Sequence, residues 1–373
     1  MNKKSNISLL SNYLLTAFFR YFSGIILLIC LSQTFLFAVF AGDDNDTILL
    51  DQLNRPIQLD RKVERIVTIP MPAASILIGI EQGVKSLSAM HPESLTAAQR
   101  GLLYEWFPEL LSLPTNVVGR GFVPNVESIL KINPDLVIQW GDRGEDLIAP
   151  LEAVGLNVLA VRYGTENDTQ TWLRLFGNLI GEQQRVSELI DIREVTYDRL
   201  EVLRMLPEDQ KPKVLYLLRA KSGFQAAGKD TFNHYSIETA GGRNVTTEIS
   251  GFKPVNTEQI LAWDPDVILL NSFEKDLSPD FIIDDPLLSL TSASKDKRVY
   301  VMPIGGYRWD PPSLESPLAW LWLASLFHYE SFDLDMKLET SELMMLFYGK
   351  KLEGKKAAAF FDQLSAKNAT LQR

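Results

Sequence analysis

The sequence predicts an α/β fold: two Rossmann-like lobes with mostly parallel sheets, bridged by a single long α-helix. Three observations carry this prediction. Two stretches 131 positions apart, around Glu127 and Glu258, repeat one pattern. Between them lies a run from Thr169 to Leu206 without a single proline. On both sides of that run, short apolar segments bounded by turn signals alternate with helical patterns.

The repeat is Val126-Glu127-Ser128-Ile129-Leu130-Lys131-Ile132-Asn133-Pro134-Asp135-Leu136-Val137-Ile138 in its first copy. The second is Thr257-Glu258-Gln259-Ile260-Leu261-Ala262-Trp263-Asp264-Pro265-Asp266-Val267-Ile268. In each, a glutamate opens a short amphipathic helix that must stop before proline, which lacks the amide hydrogen and clashes with the preceding turn. The apolar run that follows reads as a strand covered on both faces, as in a parallel sheet. Solenoid repeats have periods of roughly 20–50 residues, so this spacing indicates two similar lobes.

In chain order, Lys3, Lys4 and Arg20 precede an almost wholly apolar run from Ile25 to Phe40. Val39-Phe40-Ala41 then supplies small residues for cleavage after Ala41, so residues 1–41 read as a signal peptide, with a retained anchor as the alternative. Cys30, the single cysteine, would leave with it, and Ile29 before it argues against a lipid anchor. A short hairpin (Thr47 to Asp51, Ile57 to Leu59) leads into an N-terminal lobe over 42–168. That lobe has strands at Arg65 to Ile69, Gly83 to Met90, Leu136 to Ile138 and Leu156 to Val161. Residues 169–206 read as the connecting helix, with Gly177 and Gly181 leaving room for a start, break or kink; it is strongest from Glu182 to Leu206, a span of roughly 37 Å at 1.5 Å per residue. Pro207 and Pro212 end it. A C-terminal lobe over 207–373 has strands at Lys213 to Leu218, Val267 to Leu270 and Arg298 to Met302, with closing helices from Ser316 and Glu342.

The charge is acidic, with 37 Lys and Arg against 47 Asp and Glu, and loss of the leader moves the net charge from −10 to −13. Such a chain is a poor partner for nucleic acid or anionic lipid. A mature chain without thiols suits an oxidising compartment.

This order of elements resembles the periplasmic substrate-binding proteins of ABC importers for iron-siderophores, haem and cobalamin. The resemblance rests on Arg65-Ile66-Val67, the paired Glu-then-Pro-Asp blocks, the intervening helix and Phe347-Tyr348-Gly349 near the end. It implies two α/β lobes joined by one long helix, a periplasmic monomer, and a permease dimer in the inner membrane as partner. It also implies that Glu127 and Glu258 meet arginines of that permease. Helix-start glutamates also favour the positive end of a helix dipole whatever else they do. Only small closure on ligand binding is expected.

Ligands of open α/β lobes bind beyond the C-terminal strand ends. The candidates are therefore His91, Trp140, Arg143 and Tyr163 from the first lobe, and Arg219, His234, Tyr235, Tyr307, Arg308 and Trp309 from the second. Aromatic area, arginine forks and phenol or imidazole groups together suit an anionic metal chelate. A ferric siderophore or haem is the favoured cargo, and no side chain is assigned as a metal ligand or resident cofactor site. A protein for free or small-chelator-bound nickel or cobalt is the alternative, although free-ion sites need several converging His and carboxylate ligands and the chain has three histidines. An enzyme is not expected. The chain has no Gly-x-Ser-x-Gly elbow, His-Glu-x-x-His or phosphate-binding loop, and two-lobed nitrogenase-like enzymes need cysteines.

Overall fold

The sequence repeat recurs in three dimensions, with the same kind of cap, left-handed residue and aspartate contact at its turns. The structure, a computed structural model, describes residues 47–59 and 63–365; the expected leader and the chain start near Gly42 lie outside them. Only helices of seven residues or more are numbered below.

In the first copy, Asn125 caps helix α3 (Val126–Ile132) by accepting from Ser128 N, and Asn133 ends it at φ 52°. In the second, Asn256 caps α7 (Thr257–Trp263) in a reciprocal box with Gln259, and Asp264 ends it at φ 42°. Asn and Asp tolerate this left-handed conformation better than other side chains. The Pro-Asp aspartates then tie the strands together. Asp135 Oδ2 accepts from the backbone N–H of Glu64 and Arg65, both at 2.9 Å. Asp266 Oδ2 accepts from Lys213 N at 2.7 Å. Each aspartate thereby fixes the start of its own strand beside the central strand of its sheet.

The first lobe contains β3 (Ile66–Thr68), α1 (Ala73–Glu81), β4 (Leu87–Met90), α2 (Pro92–Arg100), α3, β5 (Leu136–Trp140) and β6 (Val158–Val161). Its four strands are parallel in the order β4-β3-β5-β6. A hairpin of β1 (Thr47–Leu50) and β2 (Pro56–Leu59) lies along β6: Gln52 N donates to Ala160 O at 3.2 Å, and Ala160 N to Asp51 Oδ2 at 3.3 Å.

The second lobe contains β7 (Lys213–Arg219), β8 (Gln225–Ala227), α6 (Phe232–Thr239), β9 (Arg243–Asn244), β10 (Phe252–Pro254), α7, β11 (Val267–Leu270) and β12 (Val299–Val301). The order is β10-β8-β7-β11-β12, with β9 beside the start of β7. Strands β9, β7, β11 and β12 are parallel; β8 and β10 are antiparallel additions.

Alternation along the strands divides the core. Val67, Val137 and Val158 face one side of the first sheet with Ile129 of α3. Leu215, Ile268 and Leu270 face one side of the second with Ile260 of α7. The opposite faces of both sheets share one core with the connecting and C-terminal helices.

The connection departs from the predicted single helix over 169–206. It is α4 (Glu166–Ile180), then α5 (Gln183–Arg199), then one further turn, Glu201–Arg204. Gly181 takes φ 79° and returns its N–H to Gly177 O, ending α4. Only α5 is the bridge, about 26 Å long at 1.5 Å per residue. It stops at Leu200, whose N–H turns back to Tyr197 O, and Arg204 beyond it donates to the same carbonyl and stacks 3.5 Å from that ring.

A buried clamp holds this bridge. Arg193 of α5, 1% exposed, donates Nε and Nη2 to the two carboxylate oxygens of Glu166 at 2.6 Å, and Nη1 to Ser313 O at 2.9 Å. The closing helices are α8 (Ser316–Phe327), α9 (Met336–Tyr348) and α10 (Gly354–Leu364). They lean on both lobes, as shown by Gln82 Nε2 at the end of α1 donating to Leu346 O at 3.2 Å. No helix among the described residues is long and apolar enough to cross a membrane.

Candidate ligand cleft

The exits of β4, β5 and β6 form one wall. Trp140, the last residue of β5, is buried and supports the others: Tyr163 meets its ring edge-on at 5.9 Å and Arg143 stacks over it at 4.4 Å. The Arg143 guanidinium also lies 4.6 Å from Phe122, which is 5.5 Å from His91. Backbone placement comes from side chains beneath. Gln139, fully buried in β5, donates to the carbonyls of Phe122 and Leu147 and accepts from Trp140 N. Asp142 accepts from Tyr163 N at 3.1 Å. Gln52, from the hairpin, accepts from Arg162 N at 2.7 Å.

The exits of β7, β11 and β12 form the facing wall. Phe273 carries two guanidiniums, Arg219 at 4.5 Å and Arg308 at 4.6 Å from its ring centre. Arg308 is bound to buried Asp310 through Nη2 at 2.6 Å and Nε at 3.2 Å. Asp310 also accepts from Tyr216 OH at 3.1 Å and from the Ser272 hydroxyl. Burial would raise the Asp310 carboxyl, but Arg308 and these hydrogen bonds outweigh it and hold the group below the usual carboxylate range.

The two walls share one electrostatic environment. The Tyr163 phenol is pushed up chiefly by burial and next by Asp310 of the other lobe, with Arg308 and Arg143 opposing. Burial also raises Tyr307, whose neighbours are Arg308, Asp310 and, from the first lobe, Glu93. These phenols are O–H donors at neutral pH. His91 accepts from Glu93 N through Nδ1, and burial lowers it to about 4, so it is a neutral helix cap at the cleft wall.

Seven of the ten candidates therefore line or support this cleft: His91, Trp140, Arg143, Tyr163, Arg219, Tyr307 and Arg308. Three do not. His234 belongs to α6, which follows β8, and β8 runs antiparallel to β7 and away from the cleft edge. Its imidazole lines a separate cavity of about 550 Å³ with Lys213, Arg243 and Trp263. Tyr235 stacks on Tyr197 of α5 at 6.2 Å, packing α6 onto the bridge. Trp309 is a core residue, edge-on to Phe360 and hydrogen-bonded to Glu315 at 2.8 Å.

Phe122 and Phe273 went unrecognised in the sequence, while Gln139 and Asp310 fell within candidate strand-end loops but were not singled out. Phe273 and Asp310 follow β11 and β12, so strand-end position marks them. Phe122 sits at φ 68° in a turn that no strand adjoins in sequence, and Gln139, expected just after Ile138, is instead a residue of β5.

Glu127 and Glu258 are exposed in the first turns of α3 and α7, and Glu127 pairs with Lys131 at 2.7 Å. Among the described residues, no group of three or more His, Cys, Asp or Glu side chains is arranged to hold a metal ion.

A family-wide profile described as periplasmic binding protein matches residues 111–304. Molybdate-binding protein MolA of Haemophilus influenzae is 25% identical over 87% of this chain and 95% of its own length. A cobalamin-binding protein of Halobacterium salinarum is 28% identical over 59% of this chain and 57% of its own. Among solved structures, a periplasmic solute binding protein from Veillonella parvula superposes with a TM-score of 0.76 at 27% identity, covering 86% of this chain and 99% of that one. The structure of MolA bound to molybdate gives 0.70 at 23%, covering 83% and 100%, a likeness of fold.

Proposed function

The chain belongs to the periplasmic binding protein family, and from that premise we propose that its cleft captures a compact anionic metal species and presents it to an ABC importer, without catalysing a reaction on it. The carrying observation is a pair of exposed guanidiniums, Arg143 and Arg219, one on each wall. Each is stacked on an aromatic ring and neither forms a salt bridge with a described residue. Stacking holds the fork flat and leaves its N–H edge free for oxygens, while protonated Tyr163 adds a further donor.

Tyr163 of one wall feels the charges of Arg308 and Asp310 of the other, and such a setting of guanidinium and phenol donors suits a small metal oxyanion or compact ferric chelate. That the relative of nearly equal extent is molybdate-binding supports the same class.

Intrinsic tryptophan fluorescence tests this, with titration by molybdate, ferric citrate, a ferric siderophore, haem and nickel ion, and sulfate as a charge-matched control. A saturable response to molybdate or a ferric chelate is expected, weakened about 10- to 150-fold in Arg143→Ala, the worth of one charge-assisted contact. Binding of haem or free nickel alone would overturn the reading.

A further inference from the structure

Glu315, just before α8, has a wholly buried carboxylate with no cation against it. Four donors satisfy it. Oε1 accepts from Tyr307 N and from Tyr348 OH, both at 2.7 Å. Oε2 accepts from Gly306 N at 3.1 Å and Trp309 Nε1 at 2.8 Å. Three of the four lie in the loop that carries Tyr307 and Arg308 to the cleft. The seat is close-fitting: a Cβ on Gly305 would fall 2.1 Å from Oε2, and one on Gly306 2.8 Å from Oε1.

The fourth donor belongs to Phe347-Tyr348-Gly349, the C-terminal motif. This segment touches the bridge and the first lobe at once. Arg185 of α5 donates to the carbonyls of Leu346 and Phe347, and Trp106 of the first lobe lies 5.5 Å from the Tyr348 ring. The first lobe also grips the loop directly, through Leu102 N donating to Gly305 O at 2.8 Å.

We propose that Tyr348 and Glu315 are positioning residues for ligand capture: the C-terminal motif, seated on the bridge and first lobe, fixes through Glu315 the loop from Gly305 to Asp310 that delivers Tyr307 and Arg308. Neither residue reaches the cleft. Removing the Tyr348 hydroxyl leaves Oε1 with one donor and frees the loop to shift.

The test is amide hydrogen exchange on protein from the full chain, comparing wild type, Tyr348→Phe and Glu315→Gln without ligand. Exchange across 304–310 should accelerate about 10- to 100-fold in Tyr348→Phe, the worth of one hydrogen bond to a charged group, while β7 and β11 keep their protection. Unchanged loop exchange, or acceleration spread evenly through β7 and β11, overturns the proposal. If Glu315→Gln does not fold, Tyr348→Phe alone decides. A binding arm, which rests on the proposed function, titrates the same proteins with molybdate and with ferric citrate. Affinity for whichever binds wild type should fall with loop protection, and affinity unmoved despite a loosened loop would overturn the role in capture. If neither binds wild type, the ligand assignment fails while the exchange result still judges the positioning pair.

Discussion

Arg308 and Arg143 look alike in the sequence, each near an aromatic at a strand exit, but the structure gives them different duties. Arg143 is exposed and stacked, whereas Arg308 neutralises Asp310, which is 3% exposed. Breaking a buried pair by removing one partner costs about 3–5 kcal/mol. Arg308→Ala should therefore lower the melting temperature of the ligand-free protein markedly, while Arg143→Ala leaves it nearly unchanged; calorimetry of both separates these outcomes. Glu315 supplies a pH dependence. Burial pushes its carboxyl from 4.5 up to about 7, so its contribution to stability is whole below about 4.5 and is lost as pH rises through about 7. The loss is on the order of 3 kcal/mol. Urea unfolding from pH 5 to 8 should show wild type losing ground to Glu315→Gln as pH rises, and parallel curves would contradict it. His91, held down at about 4, acts with the opposite sign and cancels in the comparison.

The two Pro-Asp elements were legible because every constraint in them is local: an Asn cap, a left-handed Asn or Asp, and a proline that forbids continuation. The bridge was legible in its existence and in its start after Gly181, but not in its end at Arg199, since the fold-back of Arg204 onto the Tyr197 carbonyl and ring is a contact that periodicity does not carry. The grouping of candidate residues was legible where strands run parallel and exit at one edge. His234 and Tyr235 lie apart from that group, since nothing in Gln225 to Ala227 announces that β8 reverses direction. The bridge makes its own prediction through Arg193, which holds both oxygens of Glu166 and the Ser313 carbonyl. Arg193→Ala should cost about 3–5 kcal/mol in urea unfolding, and replacing both partners with apolar residues of similar volume should recover much of it. If the double replacement is as unstable as the single one, the clamp is not an isolated pair.

Both sheets turn one face toward a single core shared with α5 and α8, so the lobes are not free bodies on a flexible hinge. X-ray scattering with and without ligand should show a nearly constant radius of gyration, and a large contraction would refute a stiff bridge. The exposed Glu127 and Glu258 sit in the first turns of α3 and α7, the helices packed on the outer face of each sheet. Charges so placed steer and orient an encounter more than they add affinity. Glu127→Ala and Glu258→Ala should reduce uptake into cells while leaving ligand affinity in the isolated protein unaltered; loss of affinity would reassign them. The hairpin laid along β6 by Asp51 and Gln52 carries a kinetic consequence. A chain made from its N-terminus presents Asp51 long before Ala160, 109 positions later, so the hairpin must wait for β6 before it finds its seat. Until it does, β6 stands as a bare edge with unpaired amides and carbonyls, the kind of template on which strands of other chains pair. The interval between completing β6 and closing the hairpin of 47–59 is where this edge is most exposed to aggregation, and the speed with which that hairpin docks decides how long the interval lasts.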